Sequence, residues 1–282
     1  MLKFRAISFP LLLLLAGLVV FWEPGGPWLF TALAFPVAAM AVLEAAAIAG
    51  RLGIGCFRAP AVIGGWLLLA TAGGITGFFG WDYEAPAAEI VFWLFPPLCA
   101  LLLLLAKKRK AAAAACLGTA GTAAFALTPV LALSRIYFDC GAMIFLALVL
   151  VTKAADTGGY IIGMLANKLQ KNGNHKIVPS ISPKKSWEGT IGGLLFSLGT
   201  AWIFNACGVL ALPPWGVLLF GALAFLGSFA GDLTESQLKR AAGIKDSGKW
   251  IPGMGGALDV LDSFIYNAPL FLAALETGLL NL

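Results

Sequence analysis

Charge is scarce in this chain. Of its 282 residues only 12% are Asp, Glu, Lys or Arg while 60% are hydrophobic, and the mean hydropathy is +0.90. A soluble domain carries about a quarter charged residues, so this composition excludes a water-facing globule and calls for a bilayer. Histidine is scarcer still. His175 is the only one, which excludes multi-histidine metal sites and argues against a His-based triad. The cysteines Cys56, Cys99, Cys116, Cys140 and Cys207 are scattered without a CxxC pair, so neither a zinc site nor a redox dithiol is suggested. No internal repeat is visible, and no hydrophilic stretch is long enough to form a second domain.

What the chain does have is a series of apolar runs of about 16 to 24 residues between turn or charge clusters, the length needed to cross a bilayer as a helix. They predict an all-α, polytopic integral membrane protein of about nine transmembrane helices, over 6–22, 27–50, 61–81, 86–106, 111–133, 138–153, 189–210, 214–231 and 260–280. The first run follows Lys3 and Arg5 in the manner of a signal peptide. No small-x-small cleavage site comes after it, and Glu23-Pro24-Gly25-Gly26-Pro27 reads as a turn, so it is taken as the first span. The less apolar segment 154–167 reads as a short cavity-lining helix rather than a tenth span.

Nine spans sort the charges by side. Lys3, Arg5, Arg51, Arg58, Lys107-Lys108-Arg109-Lys110, Lys168, Lys171, Lys176, Lys184, Lys185, Lys239, Arg240, Lys245 and Lys249 fall in one set of loops, 17 of the 19 basic residues. The opposite loops hold only Arg135, and Lys153 sits at a membrane edge. Basic loops stay cytoplasmic, so the N-terminus is expected inside and the C-terminus outside. The whole of 1–282 then forms one membrane domain. Residues 1–153 supply mainly scaffold, and 154–282 form the catalytic half, with cytoplasmic loops 154–188 and 232–259.

Those two loops concentrate the chemistry. In Gly231-Asp232-Leu233-Thr234-Glu235-Ser236-Gln237-Leu238-Lys239-Arg240, a helix puts Asp232, Ser236 and Lys239 on one stripe. Such a stripe can hold a cation and an anionic group together, although a solvated juxtamembrane helix has the same pattern. The run Pro252-Gly253-Met254-Gly255-Gly256 lets backbone approach a ligand closely, and the helix after it brings Asp259, Asp262, Ser263 and Tyr266 to one face. Two carboxylates at the mouth of an apolar span are costly unless they meet a cation. Oxygen donors without His or Cys point to Mg²⁺. A capped helix end accounts for one such Asp more readily than for two.

Gly243-Ile244-Lys245-Asp246-Ser247-Gly248-Lys249-Trp250 imitates a Walker A loop, but Trp250 stands where Ser or Thr is required and no strand precedes it. Upstream, Ser182 and Pro183 read as N-cap and first turn of a helix, with Lys184 and Lys185 placed where the helix dipole disfavours cations. An anionic partner, a nucleotide phosphate or a lipid headgroup, would offset that cost. Ordinary positive-inside topology accounts for the lysines but not for their position. Asp156 is a membrane-edge carboxylate that either serves the site or simply neutralises Lys153. Glu44, inside a span, reads as a buried, protonated or helix-facing acid.

Together these stretches resemble the phosphatidate cytidylyltransferase (CDP-diacylglycerol synthase) family. The likeness is carried by Ser236-x-x-Lys239-Arg240, Lys245-Asp246, Pro252-Gly253-Met254-Gly255-Gly256 and Asp259-x-x-Asp262. It extends to Gly231-Asp232, Asp156-Thr157-Gly158-Gly159-Tyr160 and Ser182-Pro183-Lys184-Lys185-Ser186-Trp187-Glu188-Gly189. Met254 stands where the family signature has His, and Val260 where it has Arg.

The resemblance implies transfer of CMP from CTP to phosphatidic acid, releasing pyrophosphate, with Mg²⁺ as cofactor. Two polyanions must meet, so cations are needed between them. The expected catalytic residues are Asp232, Ser236, Lys239, Asp259 and Asp262, with Asp232 and Asp259 holding the metal. The expected substrate-binding residues are Asp156, Ser182, Lys184, Lys185, Arg240, Lys245, Gly253, Gly255 and Gly256. Partners would be the bilayer, CTP, phosphatidate and, by resemblance, a second copy in a homodimer, with no nucleic acid. The protein would reside in a bacterial-type inner membrane with its site facing the cytoplasm. A CTP-dependent lipid-alcohol kinase of the polyprenol type and a non-catalytic lipid-binding membrane protein remain the alternative readings.

Overall fold

The computed structural model describes residues 11, 14–72, 75, 109–170 and 173–281. The span expected over 86–106 lies outside the described residues, as do the outer parts of 6–22 and 61–81. Among the described residues every regular element is helical, apart from isolated β-bridges pairing Lys176 with Ser186 and Ile251 with Gly255. Four helices are long and apolar enough to cross a membrane. The protein is therefore an all-helical integral membrane protein.

Two compact units are formed. The first comprises Met1–Ala142 with Leu238–Leu261, the second Met143–Gln237 with Asp262–Leu282. In the first, α1 (Gly25–Arg51), α2 (Arg58–Ala72) and α3 (Arg109–Arg135, prolonged by a π-turn at Ile136–Cys140) pack on one another, and the short α7 (Ala257–Leu261) packs on α1. Ala34, Ala38, Ala41, Ala45 and Ala49 recur at helical spacing along α1, and all are buried. Small residues let backbones approach closely, which replaces the hydrophobic drive that helix association lacks in lipid. Polar side chains bind neighbouring backbone here: Trp66 Nε1 donates to the Phe35 carbonyl at 3.0 Å, and Tyr137 Oη to that of Val19 at 2.8 Å.

The second unit holds α4 (Ala142–Leu169, all but its first residue), α5 (Trp187–Ala206), the Pro214–Gln237 part of α6 (Pro214–Ala241) and α8 (Phe264–Glu276). Glycines set the α4–α5 contact: a Cβ on Gly158 would overlap Phe196, and one on Gly192 would overlap Ile162. On α6, a Cβ at Gly227 would overlap the backbone of Asn267. The Asn267 amide donates to Thr152 Oγ1 at 2.6 Å, which joins α8 to α4.

Three expectations change. The segment 154–167 is no separate short helix, because α4 runs unbroken to Leu169. At 28 residues it is about 42 Å long, longer than the roughly 30 Å hydrocarbon core, so its polar end is overhang rather than a new element. The helix expected to begin at Ser182-Pro183 begins at Trp187. Ser186 is its N-cap, accepting the Gly189 N–H at 3.2 Å, and Lys184 and Lys185 lie in the preceding turn. The helix expected to carry both Asp259 and Asp262 breaks between them. Asp262 and Ser263 form a turn before α8, where the Asp262 carboxylate captures the Ser263 N–H and competes with helical bonding.

Gly227→Leu should lower unfolding stability in detergent by about 1–3 kcal/mol through overpacking against α8. Gly199→Ala on α5 has open space at the same atom and should be neutral or slightly stabilising.

Candidate functional site

In the first unit the site is built around Asp259. The chain turns tightly at 251–255, with the Met254 and Gly255 N–H groups both on the Ile251 carbonyl at 3.0 and 3.1 Å. Gly253 and Gly255 adopt φ of +80° and +107°, a region that disfavours side chains. A Cβ on Gly255 would also overlap the Asp259 carboxylate. These glycines therefore make the turn and clear space for Asp259. The Met254 and Gly255 N–H groups are taken by the Ile251 carbonyl and that of Gly256 by the Asp259 carboxylate.

Asp259 Oδ2 accepts the N–H of Gly256 at 2.7 Å and that of Ser247 at 2.9 Å, with Ser247 Oγ at 2.8 Å. Its Oδ1 receives Lys239 Nζ at 2.6 Å, in a pair whose side chains are 11% and 8% exposed. Burial pushes the Asp259 carboxyl up, but the Gly256 N–H, the Lys239 ammonium and Ser247 outweigh it and hold the carboxyl below its ordinary value. Nearby, Arg240 and Lys245 are exposed, and Arg240 donates to the Ile244 carbonyl at 3.2 Å.

Sequence reasoning treated Ser247 only as part of a failed Walker loop and left Glu44 without a role. Glu44 is buried and accepts the N–H groups of Ala257 and Leu258 at 3.0 and 2.9 Å, with Ser247 Oγ at 2.9 Å. The signal for it was the carboxylate itself, inside an apolar run where an unpaired charge is costly.

The second unit gathers Asp156, Asp232 and Asp262 with two lysines. Lys153 Nζ lies 3.2 Å from Asp156 Oδ2 and 3.1 Å from Ser263 Oγ. Ser228 Oγ donates to Asp156 Oδ1 at 2.6 Å, and Ser263 Oγ lies 2.9 Å from both Asp156 Oδ2 and Asp262 Oδ1. The negative charges of Asp232 and Asp156 and the positive charge of Lys153 all act on Asp262. Lys185 Nζ pairs with Asp232 Oδ2 at 2.8 Å, donates to the Phe229 carbonyl at 3.1 Å and sits 4.0 Å above the Phe229 ring. Ser236 Oγ lies 3.4 Å from Asp232 Oδ1, the i,i+4 contact expected of a helix. Asp156 thus both neutralises Lys153 and joins the cluster. Ser182 stays outside it, its N–H on the Val178 carbonyl, and Lys184 is exposed.

Do these residues suit Mg²⁺? The donors are all oxygen, and Asp232 and Asp259 each present an oxygen already facing a cation, from Lys185 and Lys239 respectively. Among the described residues no three metal-ligating side chains converge. Mg²⁺ is commonly held by one or two carboxylates together with substrate phosphates, so a donor set of aspartates without a protein cage fits it.

The two polar clusters are rich in Asp and Lys and contain neither His nor Cys. The chain belongs to the cytidylyltransferase family, whose model matches residues 3–277. It is 46% identical over 115 residues to the phosphatidate cytidylyltransferase of Mycobacterium bovis, covering 41% of this chain and 35% of that protein. The Haemophilus influenzae phosphatidate cytidylyltransferase is 39% identical over 135 residues, 46% of this chain and 45% of the relative. The chloroplastic phosphatidate cytidylyltransferase 4 of Arabidopsis thaliana is 47% identical over 102 residues, covering 36% and 26%. In each case the chain spans less than half the relative's length.

Lys239→Met should cost about 3–5 kcal/mol, because it leaves Asp259 buried without its cation. Adding Asp259→Asn should recover part of that loss in denaturant unfolding. The depressed Asp259 carboxyl contributes stability above the unfolded Asp value of about 3.9. That contribution is lost as pH falls through the lower folded value. Protection factors of the amides across 247–259, with the intrinsic pH dependence of exchange divided out, should therefore hold from pH 7 to pH 5 and fall only below about pH 4.

Proposed function

We propose that this protein transfers CMP from CTP to phosphatidic acid, forming CDP-diacylglycerol and pyrophosphate for phospholipid synthesis. The observation that carries the reading is Asp259, set by Gly256, Ser247 and Lys239 at the end of the glycine turn, in a chain matched to the family over nearly its whole length. The relatives' printed activity supports the choice of CTP and phosphatidate. A phosphorylating lipid-alcohol kinase has no such support.

Mg²⁺ is the cofactor in this proposal, with Asp259 in the first unit and Asp232 in the second each a candidate holder. When bound, it would neutralise phosphate charge during in-line displacement. The remaining work falls to the chain. Lys185 and Lys239 present ammonium groups beside those carboxylates, while exposed Lys184, Arg240 and Lys245 screen arriving phosphates. Ser236 orients Asp232, and Asp262 and Asp156 fix Lys153 through Ser263. A phosphatidate phosphate is already ionised at neutral pH, so no strong general base is required, and Met254 in the signature His position is compatible with turnover.

The first unit also contains a cavity of about 560 Å³ walled by α1 and α3 and reaching Leu238. The same reading includes nine spans, a cytoplasmic N-terminus and site, an external C-terminus, residence in a bacterial inner membrane and a homodimer. The charge alternation along the sequence supports the orientation.

Purified protein supplied with CTP, Mg²⁺ and phosphatidate should release pyrophosphate and form a CMP-lipid. Asp232→Asn and Asp259→Asn should each cut turnover by at least about 10²–10³ while remaining folded. Transfer of only the γ-phosphate to a lipid alcohol would replace this reading with the kinase.

A further inference from the structure

Glu44 lies near the C-terminal end of α1, more than 200 residues before the groups it binds. It is 4% exposed, and a buried carboxylate persists only where donors satisfy it. Three are present: the N–H groups of Ala257 and Leu258 and the Ser247 hydroxyl. Two glycines make room for it, since a Cβ on Gly248 or Gly256 would overlap its carboxylate. Gly248 and Gly256 thus form a socket, and Glu44 fills it.

The same segment holds Asp259. Ser247 Oγ lies 2.9 Å from Glu44 Oε2 and 2.8 Å from Asp259 Oδ2, so one hydroxyl connects the two carboxylates. Asp259 takes the Gly256 N–H while Glu44 takes the next two along the chain. Removing Glu44 would release Ala257, Leu258 and Ser247 together, leaving Asp259 with fewer restraints on its orientation.

We infer that Glu44 is a positioning residue: from within a membrane helix it clamps the 247–258 segment and thereby sets the direction of the Asp259 carboxylate. The catalytic part of this inference rests on the cytidylyl-transfer reading; the clamp does not. Glu44→Gln keeps size but points an amide NH₂ at backbone donors, so one acceptor becomes a repulsion.

The test compares wild-type full-length protein with E44Q in detergent or nanodiscs. Hydrogen exchange at Ala257 and Leu258 should rise at least about tenfold in E44Q, with α4 and α5 peptides unchanged. The kcat should fall about 100-fold, the scale of a misplacement near 1 Å, with KM for CTP unchanged. If Glu44 acts through Asp259, E44Q should add little to D259N, since coupled residues are non-additive. A purely structural role would instead give additive losses and a general rise in exchange. Unchanged exchange, unchanged kcat or additive losses in E44Q would each overturn the inference. Should E44Q fail to fold, S247A severs the same connection, and wild-type kcat in S247A overturns it too. A wild-type protein that forms no CMP-lipid would remove the reaction but not the clamp, which exchange reads without turnover.

Discussion

An ammonium and a carboxylate 2.6 Å apart, each side chain about a tenth exposed, cannot be separated cheaply at a bilayer surface. Lys239 and Asp259 come from different helices, and the residues joining them must turn back over a short distance to let them meet. The glycine turn at 251–255 serves that closure. Asp259 accepts from Gly256, Ser247 and Lys239, and Glu44 takes the neighbouring Ala257 and Leu258 N–H groups.

Helix length organises the rest. Helices of 28 residues exceed the hydrocarbon core by about 12 Å, about eight residues; Ser236 and Lys239 fall within the last eight of α6, and Asp156 and Asp232 lie further in on α4 and α6. These four side chains thus sit on helices rather than on loops, and side chains on rigid elements hold their geometry better. Glycines and alanines on the apolar faces let these helices approach closely enough for single hydrogen bonds, such as Asn267 to Thr152, to join them.

The cation distribution shows a similar economy. Lys153 and Lys185 are each held by a carboxylate and an aromatic face together, which fixes a flexible ammonium without burying it wholly. Asp232 and Asp156 are held in return.

Much of this was legible in the residues alone. Apolar run length and scarce charge are local properties, and they settled the helical, membrane-embedded class; the order of short motifs settled the family, and i,i+3 and i,i+4 spacing anticipated the Lys153–Asp156 and Asp232–Ser236 contacts. The cap of α5 at Ser186 and the turn at Asp262 were local choices among competing side-chain bonds. Beyond reach was the non-local contact of Glu44 with the glycine segment, which depends on which donor arrives opposite which acceptor after packing. Spacing along a chain reports one helix's face, whereas a buried carboxylate's role is decided by partners that only tertiary structure brings within 3 Å.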